Sequence, residues 1–347
     1  MLADEHVWVV VLAGGVGSRF WPVSTRERPK QVLPLAGDRP LIADTIERAR
    51  ALVPDERVRI LAGEHLAGPL RGALTDFPDT GLWVEPRARG TGPVLAWAAW
   101  RLAQIDSEAV MVSLHADHLI RPLAAFEETV RAAARVARRD ELLVCVGAVP
   151  DRVETGYGHV EPGDAIAVEG PAKAWRVRAF HEKPDPETAR RYVDAGYLWN
   201  TGIFVWKASV LLGEIDRHAP EISGHLLLLE QSAEAYFDAV AVSVIDTVVM
   251  ERSERVATVG ATFEWDDVGS WEALSRTREA DGAGNVFVGA GHAVDARGNV
   301  VFADEGSVVL FGTDDLVVVR TDDLTLVLPR GRAAELKTLL AELGVTS

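Results

Sequence analysis

The first 150 residues alternate short apolar runs with longer segments of helical periodicity. The apolar runs, such as VWVVVLA, VRILAG, AVMVSLHAD and LLVCVGAV, consist mostly of aliphatic residues without a polar residue at every second position. Between them, segments such as LIADTIERARALV and FEETVRAAARVARR repeat apolar residues every three or four positions. Buried strands that alternate with helices are typical of a parallel sheet covered on both faces. The pattern therefore predicts an α/β fold with a doubly wound, mainly parallel sheet.

The pattern changes twice after this region. Between Tyr157 and Phe204 it predicts strands in YGHVEP, AWRVRAFHEKP and GIFVW, with a helix in PETARRYVDAG. Helical segments follow from about Ala208 to Ala239. A break rich in glycine and small residues, EADGAGN, lies near Asp281. We expect a first domain over residues 1–280 and a second over residues 281–347.

The second domain contains short apolar runs separated by turn residues. The turns are predicted at Arg297-Gly298, Asp304-Glu305-Gly306 and Asp314-Asp315. Val300, Val309, Val317 and Leu326 follow one another at intervals of eight or nine residues. This spacing predicts a small all-β module with a solenoid-like repeat. A final helical stripe is expected to pack on the rest of the protein and consists of Leu336, Leu339, Leu340 and Leu343.

Composition narrows the class of protein. The 347 residues are 48% hydrophobic and 25% charged, which is ordinary for a globular protein, and their net charge is −16. This negative charge argues against a nucleic-acid or anionic-membrane partner, because phosphate contacts require surplus lysine and arginine. A single cysteine, Cys145, allows no disulfide within the chain. Since the sequence also shows no signal peptide and no membrane-spanning run, we expect a cytoplasmic protein.

The loop that follows the first apolar run departs from this overall charge. LAGGVGSRFWPVSTRERPKQ, from Leu12 to Gln31, contains three glycines and has four cations against the single anion Glu27; the cations are Arg19, Arg26, Arg28 and Lys30. Glycines after a strand allow backbone N–H groups to converge on an anion. A dinucleotide fingerprint is not present, because Phe20 stands where its last glycine belongs, and no Gly-Lys-Ser/Thr sequence of a P-loop follows. The loop predicts a polyphosphate site, with a plain tight turn as the alternative.

Six motifs occur in the order found in one enzyme family. They are LAGGVGSRFWP with RPKQ, LHADH at 114–118, TGYGHVEP at 155–162, FHEKPD at 180–185, YLWNTGIFVW at 197–206 and WDDVGSW at 265–271. With these motifs the chain resembles the sugar-1-phosphate nucleotidyltransferases, and in particular the mannose-1-phosphate guanylyltransferases, over about residues 1–275. The resemblance implies a Rossmann-like, mixed but mainly parallel sheet. It also implies a small C-terminal all-β domain similar to a left-handed β-helix.

The activity that the resemblance implies is transfer of GMP from GTP to α-D-mannose 1-phosphate, giving GDP-mannose and pyrophosphate with Mg²⁺ as cofactor. An oxygen of the sugar phosphate would attack the α-phosphorus in line, which requires positioning and charge neutralisation. Two alternatives keep the fold: a transferase for another sugar 1-phosphate or nucleotide, and a non-catalytic sugar-nucleotide sensor. A homodimer is also an open alternative, because the β module either covers the first domain or forms a dimer interface.

The resemblance assigns the phosphate and sugar contacts to individual positions. Arg19 and Lys30 would hold the triphosphate and stabilise the departing pyrophosphate, a task that suits the planar guanidinium. The nucleotide would pass along the backbone of Leu12, Ala13, Gly14, Gly15 and Gly17. Lys183 would bind the phosphate of the sugar, and the sugar ring would contact Gly158, Glu182 and Asn200. The plainer alternatives are a surface ion pair for Arg19 and a solvated pair for Glu182 and Lys183.

Asp117 and Asp267 match the metal ligands of the family. Mg²⁺ prefers oxygen ligands and keeps several waters, so two aspartates and phosphate oxygens suffice. Asp266 competes with Asp267, and we choose Asp267 because it aligns with the DVGSW part of its motif. His115 and His118 on either side of Asp117 suggest zinc, but the chain offers neither a cysteine partner nor a third spaced histidine.

The segment WVEPRARGTGPV resembles the part of guanylyltransferases that contacts purine and ribose. The Glu85 carboxylate would accept hydrogen bonds from N1–H and N2–H₂ of guanine, and Gly92 lies in the same nucleotide-binding segment. The family usually has Arg-Asn-Thr-Ala-Pro where this chain has RGTGP, so that Gly90 and Gly92 replace an amide and a methyl group. This departure concerns base selectivity and rate more than the class of reaction.

Overall fold

The computed structural model describes residues 5–15 and 17–344 of the chain. Its strands are β1 Val7–Ala13, β2 Val58–Gly63, β3 Leu82–Glu85, β4 Val110–His115, β5 Leu119–Arg121, β6 Leu143–Ala148, β7 His159–Ile166, β8 Ala174–His181, β9 Leu198–Lys207, β10 Val256–Gly260, β11 Glu264–Asp266, β12 Val286–Val294, β13 Val300–Phe311, β14 Leu316–Arg320 and β15 Thr325–Pro329. Its helices are α1 Leu41–Leu52, α2 Glu64–Ala73, α3 Thr91–Ile105, α4 Leu123–Asp140, α5 Pro186–Asp194, α6 Ala208–His218, α7 Pro220–Ser223, α8 Ala233–Ala239, α9 Leu274–Thr277 and α10 Leu336–Glu342.

A nine-stranded sheet forms the centre of the molecule, in the order β3-β2-β1-β4-β9-β6-β10-β8-β7. β8 and β9 run against the other strands, and β9 lies between β4 and β6. The predicted mixed, mainly parallel sheet is confirmed. Because β1, β2, β3 and β4 are mutually parallel, their carboxyl ends lie at one edge of the sheet.

Both faces of the sheet are buried, which explains the uninterrupted apolar runs. Val9 and Val11 of β1 face a layer that contains α1, α2 and α4, whereas Val10 faces α3, α6 and α8. A strand with helices on both sides needs apolar residues at every position. The predicted strands β1, β2, β4 and β6 and the predicted helices α1, α3 and α4 all fall in this sandwich.

The sequence pattern does not predict α2 or β10. Pro69 and the neighbouring Gly68 weaken the helical signal of α2, because both residues disfavour a helix interior. Burial of Leu66 and Leu70 in the core outweighs that local preference. None of the helices in the described ranges is long and apolar enough to span a bilayer.

The C-terminal module is a four-stranded sheet in the order β12-β13-β14-β15, with two parallel pairs followed by one antiparallel pair. The predicted repeat is wrong in one respect, since Val300 and Val309 lie in the same long strand, β13. The turn predicted at Asp304-Glu305-Gly306 is instead part of a bulge in that strand, where residues 303–306 lie opposite the single residue Gly289. The strand thus has three residues more than its partner here, and Ala303 still pairs with Arg320 of β14, so residues 304–306 project from the sheet.

The bulge contacts the loop that follows β1. Arg28 donates from both terminal guanidinium nitrogens to the carboxylate of Asp304, with Nη2 and Oδ1 2.9 Å apart. Beside this pair, Trp271 packs between Phe20 and Phe302, with ring centroids 5.0 and 5.1 Å apart. The module therefore covers the first domain next to the glycine-rich loop.

The final helix, α10, also packs against the first domain, near the short 3₁₀ turn at Ser18–Phe20. Leu336 and Leu340 are buried there, and Leu339 is partly buried. Leu343, which the predicted stripe includes, is 58% exposed. The stripe is therefore narrower than predicted, because α10 ends at Glu342, one residue before Leu343.

We predict that Phe302→Ala lowers the free energy of unfolding by about 3–5 kcal/mol, because it removes a buried ring from the contact between module and loop. Urea denaturation followed by tryptophan fluorescence measures this change. The matched control is Phe311→Ala on the same strand, where the ring is 75% exposed and a change within about 0.5 kcal/mol is expected. Equal effects of the two substitutions would contradict this account of the module.

Candidate active site

The polar residues of the motifs gather at the carboxyl edge of the parallel strands. Leu12 of β1 pairs with His115 of β4, so the loops after these strands leave the sheet side by side. The short antiparallel pair β5–β11 places Asp266 opposite Leu119, which brings the WDDVGSW motif to the same edge. Open α/β sheets bind their ligands at this edge.

The glycine-rich loop is hydrogen-bonded to Gln31 on one side and is open on the other side. The side-chain amide of Gln31 donates from Nε2 to the carbonyl oxygens of Gly14 and Gly15, at 3.0 and 2.9 Å. Gly17 has φ +78°, and a Cβ there would lie 2.4 Å from Cβ of Lys30, so only glycine allows this close approach. A Cβ added to Gly14 or Gly15 would have no heavy atom of the described residues within 4 Å, apart from its own chain neighbours. The loop thus leaves room for a ligand along its backbone.

Two predicted cations of the loop differ in their surroundings. Arg19 is exposed and has no ion-pair partner among residues 5–15 and 17–344. Lys30 is buried, and its ammonium lies 2.8 Å from Oδ2 of Asp117 and 3.0 Å from the carbonyl oxygen of Asp267. The ammonium of Lys30 therefore joins the loop to both predicted metal ligands.

The charges around Asp117 keep it ionised. Burial alone would raise the pKa of this carboxyl, but the charge of Lys30, with the histidines His118 and His115 where they are protonated and with the hydrogen bond from Lys30, outweighs burial and lowers the pKa to about 2. Burial lowers the pKa of both histidines, which favours their neutral forms. Asp117 is thus an anionic oxygen donor across the neutral pH range.

The two aspartates of the WDDVGSW motif have different partners. Asp266 is buried and accepts hydrogen bonds from the Val268 backbone N–H and from Nε of Arg276, each at 2.8 Å. Oδ1 of Asp267 accepts a hydrogen bond from the Tyr157 hydroxyl at 2.6 Å. Burial and the charge of Asp267 raise the pKa of Tyr157, so its hydroxyl stays a donor. Asp266 is committed to structural contacts, whereas Asp267 accepts from the Lys30 ammonium through its backbone oxygen and from Tyr157 through its carboxylate.

The donors around Lys30 fit a hard divalent cation. One carboxylate oxygen of Asp117 and the backbone oxygen of Asp267 already surround a positive group, the ammonium of Lys30. Ligand atoms of His115, Asp117 and His118 lie within 4.8 Å of one another, a spacing that the sequence does not reveal. Nδ1 of His118, however, accepts a hydrogen bond from the Trp265 indole at 3.2 Å, so the proton of the neutral ring is on Nε2. That ring therefore has no free lone pair for zinc, and oxygen ligands suit Mg²⁺.

The residues predicted to contact the sugar phosphate also lie together. The Asn200 backbone N–H donates to the carbonyl of Gly158 at 2.8 Å, and a Cβ on Gly158 would lie 2.8 Å from Oε2 of Glu182. Oε1 of Glu182 accepts from the ammonium of Lys183 at 2.6 Å, while the side chain of Lys183 is 61% exposed. A Cβ on Gly202, two residues after Asn200, would lie 2.6 Å from Nε2 of His115. This group therefore adjoins the Asp117 group in one site.

Two acidic residues of this group escape the sequence analysis. Asp246 accepts a hydrogen bond from Nδ2 of Asn200 at 2.8 Å, and Glu251 accepts one from the Glu182 backbone N–H at 2.8 Å. Loss of solvation, with the charge of Glu182 adding to it, raises the pKa of Asp246 to about 7. The available signal was the pair of carboxylates five residues apart in the otherwise apolar run VIDTVVME.

Glu85 ends β3 at the same sheet edge, beside Gly63 of β2. Burial raises the pKa of this carboxyl to about 7, and no charged group acts on it strongly enough to offset burial. A carboxyl with this pKa changes its hydrogen-bonding character within the physiological pH range.

Close packing explains the glycines of RGTGP. Gly90 has φ 83° and ψ 179°, a backbone region in which essentially only glycine is found. A Cβ on Gly90 would lie 2.4 Å from the carbonyl oxygen of Ser243, and one on Gly92 would lie 2.9 Å from Oγ of the same residue. The Gly92 N–H donates to that carbonyl at 3.1 Å. The departure from Asn and Ala thus permits contact with the segment that leads to Asp246.

One sheet edge thus carries an open loop with an exposed cation, anionic oxygen donors and a second exposed cation. This combination is typical of an enzyme that acts on phosphates. The nucleotidyl transferase family matches residues 8–283, and the chain belongs to this family. A β-helix domain described as MannoseP isomerase/GMP-like matches residues 291–343, in agreement with the predicted β-helix-like module.

Relatives of known name cover most of the chain. A mannose-1-phosphate guanylyltransferase of Escherichia coli is 33% identical over 342 residues, which span 94% of this chain and 72% of that protein. The alginate biosynthesis protein AlgA of Pseudomonas aeruginosa is 34% identical over 353 residues, 96% of this chain and 71% of its own. The crystal structure of a mannose-1-phosphate geranyltransferase from Thermus thermophilus has a TM-score of 0.88 at 32% identity, covering 98% of this chain and 99% of that one.

We predict that Gly90→Ala destabilises the fold by about 1–3 kcal/mol from backbone strain, in addition to the cost of displacing Ser243. The midpoint and slope of urea unfolding measure this change. Gly72→Ala in α2 is the matched control, because that position is exposed and has no heavy atom within 4 Å of the added methyl group. The control should be neutral or stabilising by up to about 1 kcal/mol. A neutral Gly90→Ala variant would show that the backbone there is not strained.

Proposed function

We propose that the protein transfers GMP from GTP to α-D-mannose 1-phosphate, releasing pyrophosphate and forming GDP-mannose. The observation that carries this proposal is the arrangement around the Lys30 ammonium, which joins the open loop to Asp117 and Asp267. The Glu182, Lys183 and Asn200 group adjoins it through Gly202 and His115. The names of the relatives from Escherichia coli and of the Thermus thermophilus structure support the choice of mannose 1-phosphate.

The proposed reaction is an in-line displacement at phosphorus. An oxygen of the sugar phosphate forms a bond to the α-phosphorus of GTP, while the bond from that phosphorus to the oxygen bridging to the β-phosphate breaks. The bridging oxygen leaves with pyrophosphate and its electron pair. Such a reaction needs little covalent assistance and depends on positioning and on neutralising charge.

Residues of this chain would supply both requirements. Arg19, exposed and unpaired within the described ranges, is available to bind the β- and γ-phosphates and to stabilise the leaving pyrophosphate. Lys183, with its exposed ammonium, would bind the sugar phosphate and aim its oxygen. Lys30 would keep Asp117 ionised and in place. Asp117 and Asp267 would hold Mg²⁺, which neutralises phosphate charge when bound.

Pyrophosphate release in the presence of Mg²⁺ tests the proposal. The assay compares GTP with ATP, UTP and dTTP, and mannose 1-phosphate with glucose 1-phosphate, each with and without EDTA. We expect release selective for GTP and mannose 1-phosphate that EDTA abolishes. Release with another pair would keep the chemistry and change the substrate. Nucleotide binding without release from any pair would favour the sensor alternative.

The Asp267→Asn variant in the same assay tests the metal assignment, and we expect kcat to fall by about 10²-fold or more. Its matched control is Glu264→Gln, three residues earlier, where the side chain is 70% exposed and pairs with Arg121 on the surface. The control should keep wild-type turnover. If Asp267→Asn also keeps it, the ligand role is refuted.

We predict that the KM for GTP falls as pH rises from 6 to 8. The pKa of Glu85 is about 7, so the carboxyl is mostly protonated at pH 6 and becomes the anionic acceptor required by N1–H and N2–H₂ of guanine above pH 7. About one tenth of the carboxyl is ionised one pH unit below its pKa, so KM at pH 6 should be about tenfold above its high-pH limit. Initial rates at saturating sugar phosphate measure KM.

The control for this pH dependence is Glu85→Gln. This variant retains every other titrating group, including Asp246 and the phosphates of GTP. It should have a raised KM for GTP that changes less with pH than the wild-type value. The same pH dependence in both proteins would exclude Glu85 as the group that recognises the base.

A further inference from the structure

The turn between α8 and β10 carries the two acidic residues that contact the sugar-phosphate group. Residues Asp246–Met250 form a single π-helical turn, and the Glu251 N–H donates to the Asp246 carbonyl at 2.9 Å. This i→i+5 bond places Asp246 and Glu251 about one turn apart, and both carboxylates contact the sugar-phosphate group, Asp246 at Asn200 and Glu251 at Glu182. Single π turns occur frequently at functional sites.

Asp246 determines how the Asn200 amide is oriented. Nδ2 of Asn200 donates to Oδ1 of Asp246 at 2.8 Å, and Oδ1 of Asn200 accepts from the Gly202 N–H at 3.0 Å. The Gly202 N–H can only donate, so the amide oxygen must face Gly202 and the amide nitrogen must face Asp246, whose carboxylate accepts from it. The amide keeps one N–H and one oxygen lone pair for another partner, both in fixed directions.

Glu251 acts on the backbone beside Lys183. Oε1 of Glu251 accepts from the Glu182 N–H at 2.8 Å, immediately before the chain turns into the left-handed region at Lys183, which has φ +47°. This conformation is uncommon for a residue with a long side chain. The contact therefore fixes the point from which the Lys183 ammonium extends.

Residues 89–92, in the proposed base-binding segment, contact the residues that precede the same turn. The Ser243 N–H donates to the carbonyl of Arg89 at 3.0 Å, and the Ile245 N–H donates to Oγ1 of Thr91 at 3.0 Å. Together with the bond from the Gly92 N–H to the Ser243 carbonyl, these contacts tie residues 243–245 to residues 89–92. The π turn is thus anchored on the proposed base-binding side and extends its carboxylates to the proposed sugar side.

We propose that Asp246 and Glu251 are positioning residues for the sugar 1-phosphate. Asp246 directs the remaining N–H and lone pair of Asn200 to hydroxyl groups of the sugar ring, and Glu251 directs Lys183 to the phosphate. The inference rests on the proposed function. It adds two residues that influence sugar specificity through the residues that would contact the substrate.

The first test uses Asp246→Ala and Asp246→Asn. Alanine removes the acceptor and frees the Asn200 amide, so we expect the KM for mannose 1-phosphate to rise about tenfold, the effect of losing one charge-assisted hydrogen bond. The preference for mannose 1-phosphate over glucose 1-phosphate should fall as well. Asparagine keeps an acceptor oxygen and should restore KM to within about threefold of wild type. The KM for GTP should stay within about twofold in both variants.

Thr247→Ala is the matched control, because Thr247 lies on the same turn and, among the residues that the structure describes, its hydroxyl bonds only to the nearby carbonyl of Val244, at 3.1 Å. It should leave both KM values and the sugar preference unchanged. Thermal unfolding of every variant reports any loss of structure. A merely structural role for Asp246 would lower Tm and change both KM values together, without a change in sugar preference.

The second test uses Glu251→Ala and Glu251→Gln and serves if Asp246→Ala does not fold. Alanine leaves the Glu182 N–H without its acceptor. We expect kcat to fall about tenfold, because Lys183 then positions the phosphate less precisely for attack. Glutamine keeps an acceptor oxygen and should recover most of the rate. The inference is overturned if Asp246→Ala keeps the wild-type KM for mannose 1-phosphate and the wild-type sugar preference. It is also overturned if Glu251→Ala keeps the wild-type kcat. Silence of the wild type with every substrate pair instead overturns the proposed function.

Discussion

The rest of the site depends on one ion pair, that between the buried Lys30 and the half-buried Asp117. An ammonium that is removed from water must have anionic or polar oxygen partners, and Lys30 finds them in Asp117 and in the backbone of Asp267. Three segments that are far apart in sequence, the loop after β1, the loop after β4 and the WDDVGSW motif, therefore have to meet at one point. Gly17 permits this meeting because a Cβ there would collide with Lys30.

The C-terminal module stabilises this arrangement from outside the sheet. Trp271, the last residue of the WDDVGSW motif, packs between Phe20 of the loop and Phe302 of the module. The bulge at 303–306 adds the pair between Asp304 and Arg28. An aromatic core shared by loop, motif and module restricts the loop without occupying its open side, which suits the proposed binding and release of a polyphosphate there.

A second layer of residues connects the two halves of the site. Gly90 and Gly92, which depart from the usual family sequence, allow Ser243 to approach, and the chain then enters the π turn that carries Asp246. The segment near the proposed base site and the Asn200 amide near the proposed sugar site are therefore joined through one hydrogen-bonded segment. A substitution of either glycine would therefore alter the position of Asn200 at the proposed sugar site as well as the proposed base site.

The sequence by itself determined most of the sheet and of its covering helices, without β10 and α2, together with the residues of the six motifs, because buried strands such as β1 and signatures such as RPKQ are local patterns. The ionised state of Asp117, the commitment of Asp266 to Arg276 and the contacts of Asp246 and Glu251 were decided only by the tertiary structure. The bulge of β13 belongs to the same group, since its residues form a turn pattern in the sequence. The physical reason is that charge states, hydrogen-bond partners and bulges depend on neighbours distant in the chain, whereas periodicity depends on residues a few positions away.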